Sequence, residues 1–255
     1  MSFPALYLLH TRPDPRRLAS WAARHGLLPT TQGDLGYALH GLLRAAFGDA
    51  APQPFFYDNA ERGLLAYTRL GPDEMMRNVA LADPDAAETL GLCTSANDGG
   101  YRLRPFPSKW QVGHMLHFTV RVRPVVRDNK SGKECDAFLA AAKRAPDIVL
   151  HRESVYRQWL HDQLAVRENG KREPWQGAID IVDASLTRFR LLQVLRQTQR
   201  EESEARNKRA VGGPDAVLSG RLRIIDPLAF SYLLARGVGR HRAFGFGMLL
   251  LQPAR

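Results

Sequence analysis

Tyr37 and His40 stand three residues apart in GYALHGLLRAAF, and Arg44 follows four residues later. On a helix those spacings bring the side chains to nearly one face. An imidazole titrates near neutrality and suits proton transfer, a phenol can position it, and a guanidinium one turn on can neutralise an anion. His40 also lies between Leu39 and Gly41 on a helix with a broad apolar stripe, so residue types alone favour a packed or surface side chain. His25, beside Arg24 at the end of another helical stretch, is a competing base. A second chemical cluster is GVGRHRAFGFGMLLL, residues 237–251, where Arg240, His241 and Arg242 sit among glycines. A dinucleotide fingerprint needs a strand before its glycines and a helix after them. Here a helical pattern precedes and an apolar strand pattern follows, which argues against that class.

The elements that must carry these groups read in order. Residues 5–10 form a strand pattern, residues 17–25 a short helix, and residues 34–48 a clearer helix with Leu35, Leu39, Leu42, Leu43, Ala46 and Phe47 at helical spacing, closed by Gly48. PFFYD and GLLAYTRL read as a hairpin, and PDEMMRNVALAD as a helix begun by proline. Residues 115–126 alternate as a strand with His117, Thr119, Arg121 and Arg123 on one face. AFLAAAKR and SVYRQWLHDQL are helical, residues 178–200 begin strand-like, and residues 200–215 read as a polar, basic loop or exposed helix. AVLSGRLRIID, PLAFSYLLARG and the apolar run from Met248 make a strand, a helix and a last strand. This is an α+β plan of two tandem ferredoxin-like domains, with a division at residues 1–113 and 114–255, in preference to a doubly wound sheet.

With 36 Lys and Arg against 26 Asp and Glu, the formal charge is +10, a field that favours polyanionic partners, nucleic acid first. Cys93 and Cys135 have neither bridge nor metal-knuckle context, and His114 and His117, three apart in a strand, point to opposite faces. His151 and His161 lack partners at ligand spacing, so no metal and no cofactor is expected. The positive charges near the N-terminus follow its apolar run, the reverse of a secretory signal, and no stretch is long enough to span a bilayer. A cytoplasmic protein is expected.

The C-terminal pattern, VLSGRLRIID, a helix ending LLARGVG, a basic turn and AFGFGMLLL, resembles the glycine-rich loop of the CRISPR repeat-RNA endoribonucleases of the RAMP superfamily. It is closest to the branch serving the type I-E Cascade complex and to the related type IV enzymes. GYALHGLLRAAFGD resembles that branch's first helix, and KECDAFLAAAKR with SVYRQWLHDQL its middle region. The resemblance implies the tandem ferredoxin-like (RRM-like) fold and a metal-independent RNase. Such an enzyme binds the repeat hairpin, cuts precursor CRISPR RNA to 2′,3′-cyclic phosphate and 5′-hydroxyl ends, and remains with the guide RNA in an effector complex. It makes His40 the general base and Tyr37 its positioning or leaving-group partner, with Arg44 near the same phosphate. Gly239, Gly245 and Gly247 would let backbone amides approach phosphates that Arg240, His241 and Arg242 neutralise. Arg24, His25, Arg121, Arg123, Arg206, Lys208 and Arg209 are further expected RNA contacts. A noncatalytic RNA-binding subunit of a ribonucleoprotein is the alternative.

Overall fold

The computed structural model describes residues 5–28, 34–93, 100–127, 132–166, 172–197 and 208–254. The first half contains β1 (Tyr7–Thr11), α1 (Pro15–Arg24), α2 (Gly36–Phe47), β2 (Phe55–Tyr57), β3 (Leu64–Thr68), α3 (Pro72–Leu81), α4 (Pro84–Leu90) and β4 (Arg102–Pro105). Its antiparallel sheet runs β2-β3-β1-β4. The second half contains β5 (Met115–Val122), β6 (Val125–Arg127), β7 (Glu134–Asp136), α5 (Ala137–Arg144), α6 (Arg152–Leu164), β8 (Ile179–Gln197), β9 (Lys208–Ile224), α7 (Pro227–Arg236) and β10 (Leu249–Pro253). Its antiparallel sheet runs β10-β5-β9-β8, with β6 and β7 as a separate pair. Counting the four main strands of each half in chain order, both sheets have the spatial order fourth, first, third, second. This is the ferredoxin-like arrangement, made twice.

Alternation along the strands explains where each face goes. Leu9, Phe55, Leu64 and Ala66 turn one face of the first sheet onto α2, where Leu39, Leu42 and Leu43 are buried with them. Leu6, Phe56 and Tyr67 turn the other way and join the core of the second half, beside Phe230 and Leu249. The two halves are thus held by shared apolar burial. The buried Tyr67 hydroxyl reinforces the joint by donating to the Leu249 carbonyl at 2.8 Å.

Three local expectations change. The strand expected over residues 115–126 breaks after Val122, and β6 pairs elsewhere, because Pro124 has no N–H to continue a ladder. α4 is unexpected from the sequence reading above, although it has a plain start and stop. The Asp83 carboxylate accepts from Ala86 N at 2.8 Å, Pro84 occupies the first turn, and Gly91 ends it at φ 70°. Residues 208–215, expected in a loop or exposed helix, belong to β9 and pair with β8, Pro214 lying opposite Leu191. The ladder with β5 ends at Ala216, so β9 has a neighbour on one side only at Pro214, an edge position that accommodates proline.

Arg121 on β5 is the polar centre of the joint. Its Nε donates to Asp215 at 2.8 Å, and its Nη2 donates to Asp215 at 3.0 Å and to Asp34 at 2.6 Å. Arg190 donates to the same Asp215 carboxylate at 2.6 Å, and the Arg121 guanidinium lies 4.5 Å from the centre of the Phe246 ring. Burial alone would raise the Asp215 pKa, but the hydrogen bonds and charge of Arg121 and then Arg190 hold it below the ordinary carboxylate value. Asp215 has no exposed side-chain surface and Arg121 retains 4%, so removing one partner leaves a buried charge undercompensated. Asp215→Ala is expected to lower the unfolding free energy by about 3–5 kcal/mol, measured by equilibrium urea denaturation. A loss of about 1 kcal/mol or less would reduce this pair to the value of an exposed one.

Candidate functional site

The N-terminal turn of α2 is tied directly to Arg121. One Asp34 oxygen accepts from the Gly36 amide at 2.8 Å while the other accepts from Arg121. Along the helix this places Leu39, Leu42 and Leu43 inward and leaves His40 half-buried at the edge, with Arg44 exposed beyond it. The segment between α7 and β10, including a short 3-10 turn at Arg242–Phe244, packs against that edge. The approach is backbone to side chain. A Cβ at Gly36 would collide with the Phe244 carbonyl oxygen.

Phe244 organises the two aromatic groups of α2. Its ring stacks on Tyr37 with centroids 5.2 Å apart and an interplanar angle of 15°, and meets the His40 imidazole edge-on at 5.1 Å and 75°. Tyr37 and His40 lie 6.4 Å apart. His40 opens onto a cleft of about 320 Å³ whose walls include Arg44, Asp49, Gln53, Phe55 and Ala243. Burial, and then the positive charge of Arg44, hold the imidazole below its ordinary pKa of 6.5. A neutral imidazole facing a polar cleft is equipped to accept a proton. Arg44 is paired at 2.8 Å with the exposed Asp49. Asp49, Gln53, Ala243 and Phe244 are cleft or support residues beyond those expected from the sequence; the aromatic side chains punctuating AFGFG are the available signal for Phe244.

The glycine-rich loop is folded into the protein more than onto its surface. Gly239, Gly245 and Gly247 are buried, and all three have positive φ. A Cβ at Gly239 would stand 2.8 Å from the Trp159 ring, and one at Gly245 would stand 3.0 Å from Phe55. The Gly247 amide donates to the Arg121 carbonyl at 2.7 Å. At the tip, Arg240 and His241 both donate to Glu134 of β7, at 2.8 and 2.7 Å, with His241 in the left-handed region at φ 61°. The hydrogen bond from His241 leads the effects that hold the Glu134 carboxyl down to about 2 despite burial, and Arg240 adds its charge and a hydrogen bond. Arg242 is oriented differently. Its Nη1 is buried with no hydrogen-bond partner among the described residues, and burial together with the Arg240 charge lowers its pKa.

Other expected contacts lie elsewhere. Arg24 pairs with Asp85 at 2.6 Å, and His25 stacks on Trp21 with its Nδ1 2.8 Å from the Trp21 carbonyl, so neither lines the His40 cleft. Arg121 and Arg123, expected as strand-face cations, are 3% and 2% exposed. Carboxylates from distant parts of the chain draw Arg121 inward, so simple alternation does not describe its face. Lys208 and Arg209 lie on β9 opposite Gln197 and Arg196, whereas Arg206 falls outside the described residues. Among the described residues, no cluster of three or more His, Cys, Asp or Glu gathers as a metal site, and no helix is long and apolar enough to cross a membrane.

No curated protein matches the chain. Among solved structures, a CRISPR endoribonuclease Cse3 bound to a 19-nucleotide RNA is similar over 98% of this chain and 100% of its own, with 20% identity and a TM-score of 0.58. Thermus thermophilus Cse3 bound to an RNA representing a pre-cleavage complex is similar over 98% of this chain and 100% of its own, with 20% identity and a TM-score of 0.57. At this identity the likeness is one of fold, and it spans both ferredoxin-like halves. A family model described as CRISPR associated protein matches residues 6–253, the whole of both sheets and the glycine-rich loop between α7 and β10, and the chain therefore belongs to the family of CRISPR associated proteins.

Proposed function

We propose that this chain is a metal-independent endoribonuclease that binds the hairpin of a CRISPR repeat and cuts precursor CRISPR RNA into guide RNAs. The observation that carries the reading is His40, held below its ordinary pKa at the wall of a cleft it shares with Arg44. Family membership and the likeness of fold to RNA-bound CRISPR endoribonucleases support it.

In this reading His40 removes the proton from the 2′-hydroxyl next to the scissile phosphate. The freed 2′-oxygen attacks phosphorus, the bond to the 5′-oxygen breaks, and that oxygen takes up a proton as it leaves. The products are a 2′,3′-cyclic phosphate and a 5′-hydroxyl. Arg44 supplies positive charge where charge develops on the phosphoryl oxygens, exchanging its exposed Asp49 partner for the substrate. Tyr37 acts from behind His40, through its stack on Phe244. Residues 1–113 carry the base and residues 114–255 the loop that backs it. The product stays bound as the guide RNA of a type I-E or type IV effector complex with other protein subunits.

Two measurements test this. His40→Ala should slow cleavage of labelled repeat RNA in EDTA by roughly 10²- to 10⁴-fold while binding is retained. Wild-type protein that binds the RNA without cutting it would leave the noncatalytic RNA-binding subunit as the reading. Because the neutral imidazole is the active form, the wild-type rate should fall as pH is lowered with a midpoint below the ordinary imidazole value of 6.5. Arg242 tests the loop separately, since its side chain is partly exposed on the turn that carries Phe244. Arg242→Ala should flatten the log–log dependence of RNA affinity on salt by about 0.7, the contribution of one phosphate contact on single-stranded RNA. An unchanged slope would remove Arg242 from the interface.

A further inference from the structure

Three histidines elsewhere in the described residues have a hydrogen bond to set their rings. His10 Nε2 lies 3.0 Å from the Arg62 carbonyl, His25 Nδ1 lies 2.8 Å from the Trp21 carbonyl, and His241 Nε2 lies 2.7 Å from Glu134. The His40 imidazole differs, for among the described residues no group hydrogen-bonds to it. The orientation of a working imidazole is commonly fixed by the bond its second nitrogen makes. Here packing must do so, and of the two rings against it Phe244 is the nearer, at 5.1 Å against 6.4 Å for Tyr37.

We infer that Phe244 is the positioning residue of His40: its ring, delivered by the glycine-rich loop, holds the imidazole edge-on at 5.1 Å and keeps it turned to the cleft. Phe244 is well placed to impose an orientation because it is itself held on several sides. Tyr37 stacks on its ring at 5.2 Å, its amide donates to the His241 carbonyl at 2.9 Å, and its carbonyl oxygen abuts Gly36, where no Cβ fits. The turn that carries it is pinned on one side by Arg240 and His241 on Glu134, and on the other by the Gly247 amide on Arg121. Charged and titratable groups near the imidazole come from both packed elements, Arg44 with Asp49 across the cleft, and His241 with Arg242 flanking Phe244. Phe244 adds no charge of its own. It sets geometry and excludes water on one side of the ring.

The inference rests on His40 as the base, and its test separates the two. Phe244→Leu and Phe244→Tyr are compared with wild type in single-turnover cleavage at saturating repeat RNA, in RNA affinity, and in an NMR titration of the His40 imidazole in the free protein. Phe244→Leu is expected to cleave about 10- to 10²-fold more slowly with affinity within about threefold of wild type. Its His40 titration should move up towards the ordinary value as the ring loses cover, while Phe244→Tyr keeps both rate and titration. Wild-type rate and titration in Phe244→Leu, or equal losses in both variants, would overturn the assignment. If wild type does not cleave, the nuclease reading fails by itself and the titration alone decides: a shift in Phe244→Leu that is absent in Phe244→Tyr supports positioning, and no shift overturns it. Should Phe244→Leu fail to fold, judged by its thermal melt, Phe244→Met takes its place under the same criteria.

Discussion

Arg121 is the point on which both halves and both parts of the candidate site are set. Its guanidinium joins Asp215 on β9 to Asp34 at the start of α2, and Asp34 in turn accepts from the first helical amide. Its side chain lies against Phe246 and its carbonyl accepts from Gly247, so the same residue anchors the end of the glycine-rich loop. Moving Arg121 would therefore move the helix bearing His40 and the loop bearing Phe244 together. A buried ion pair is a weak source of net stability, since desolvation opposes the attraction. Its value here is directional: two-point binding of a planar guanidinium to Asp215, with a third bond to Asp34, admits one arrangement of three segments.

The elements nearest the chemistry were the most legible. The helical spacing from Leu35 to Phe47 gives α2, and glycines followed by an apolar run give the loop and β10, because those signals are local. Arg121 could not be read in the same way. Its place in an alternating strand with His117 and Thr119 marks it as outward, and only Asp34 and Asp215, both far away along the chain, make an inward charge tolerable. The extended β8 and β9 pair hid for a related reason. Composition around Gly212, Gly213 and Pro214 suggests a loop, while the strand exists through pairing with a partner that composition does not reveal. α4 is the opposite case, since Asp83, Pro84 and Gly91 are local caps that were there to be read.

The count of 36 Lys and Arg overstates how much positive surface stands ready. Arg24, Arg44, Arg221 and Arg240 each have a carboxylate partner. Pairs such as Arg44 with Asp49 are exposed and contribute little, so a phosphate can replace the carboxylate at small cost. Glu134 differs because it is largely buried and serves two donors. It behaves as a fixed anchor that shapes the loop tip before any ligand arrives, which limits the ordering that binding must bring about.

The seating of the Arg242–Phe244 turn on Gly36 also has a consequence in time. Halves of a chain fold as units, the N-terminal one first during synthesis. α2 and its sheet can assemble long before the residues that back His40 have been made, and β10 must pair with β5 before the intervening turn has a fixed end. A partly synthesised or undocked chain thus holds the His40 imidazole without Phe244 against it, a contact that arrives with the last strand to join the sheet.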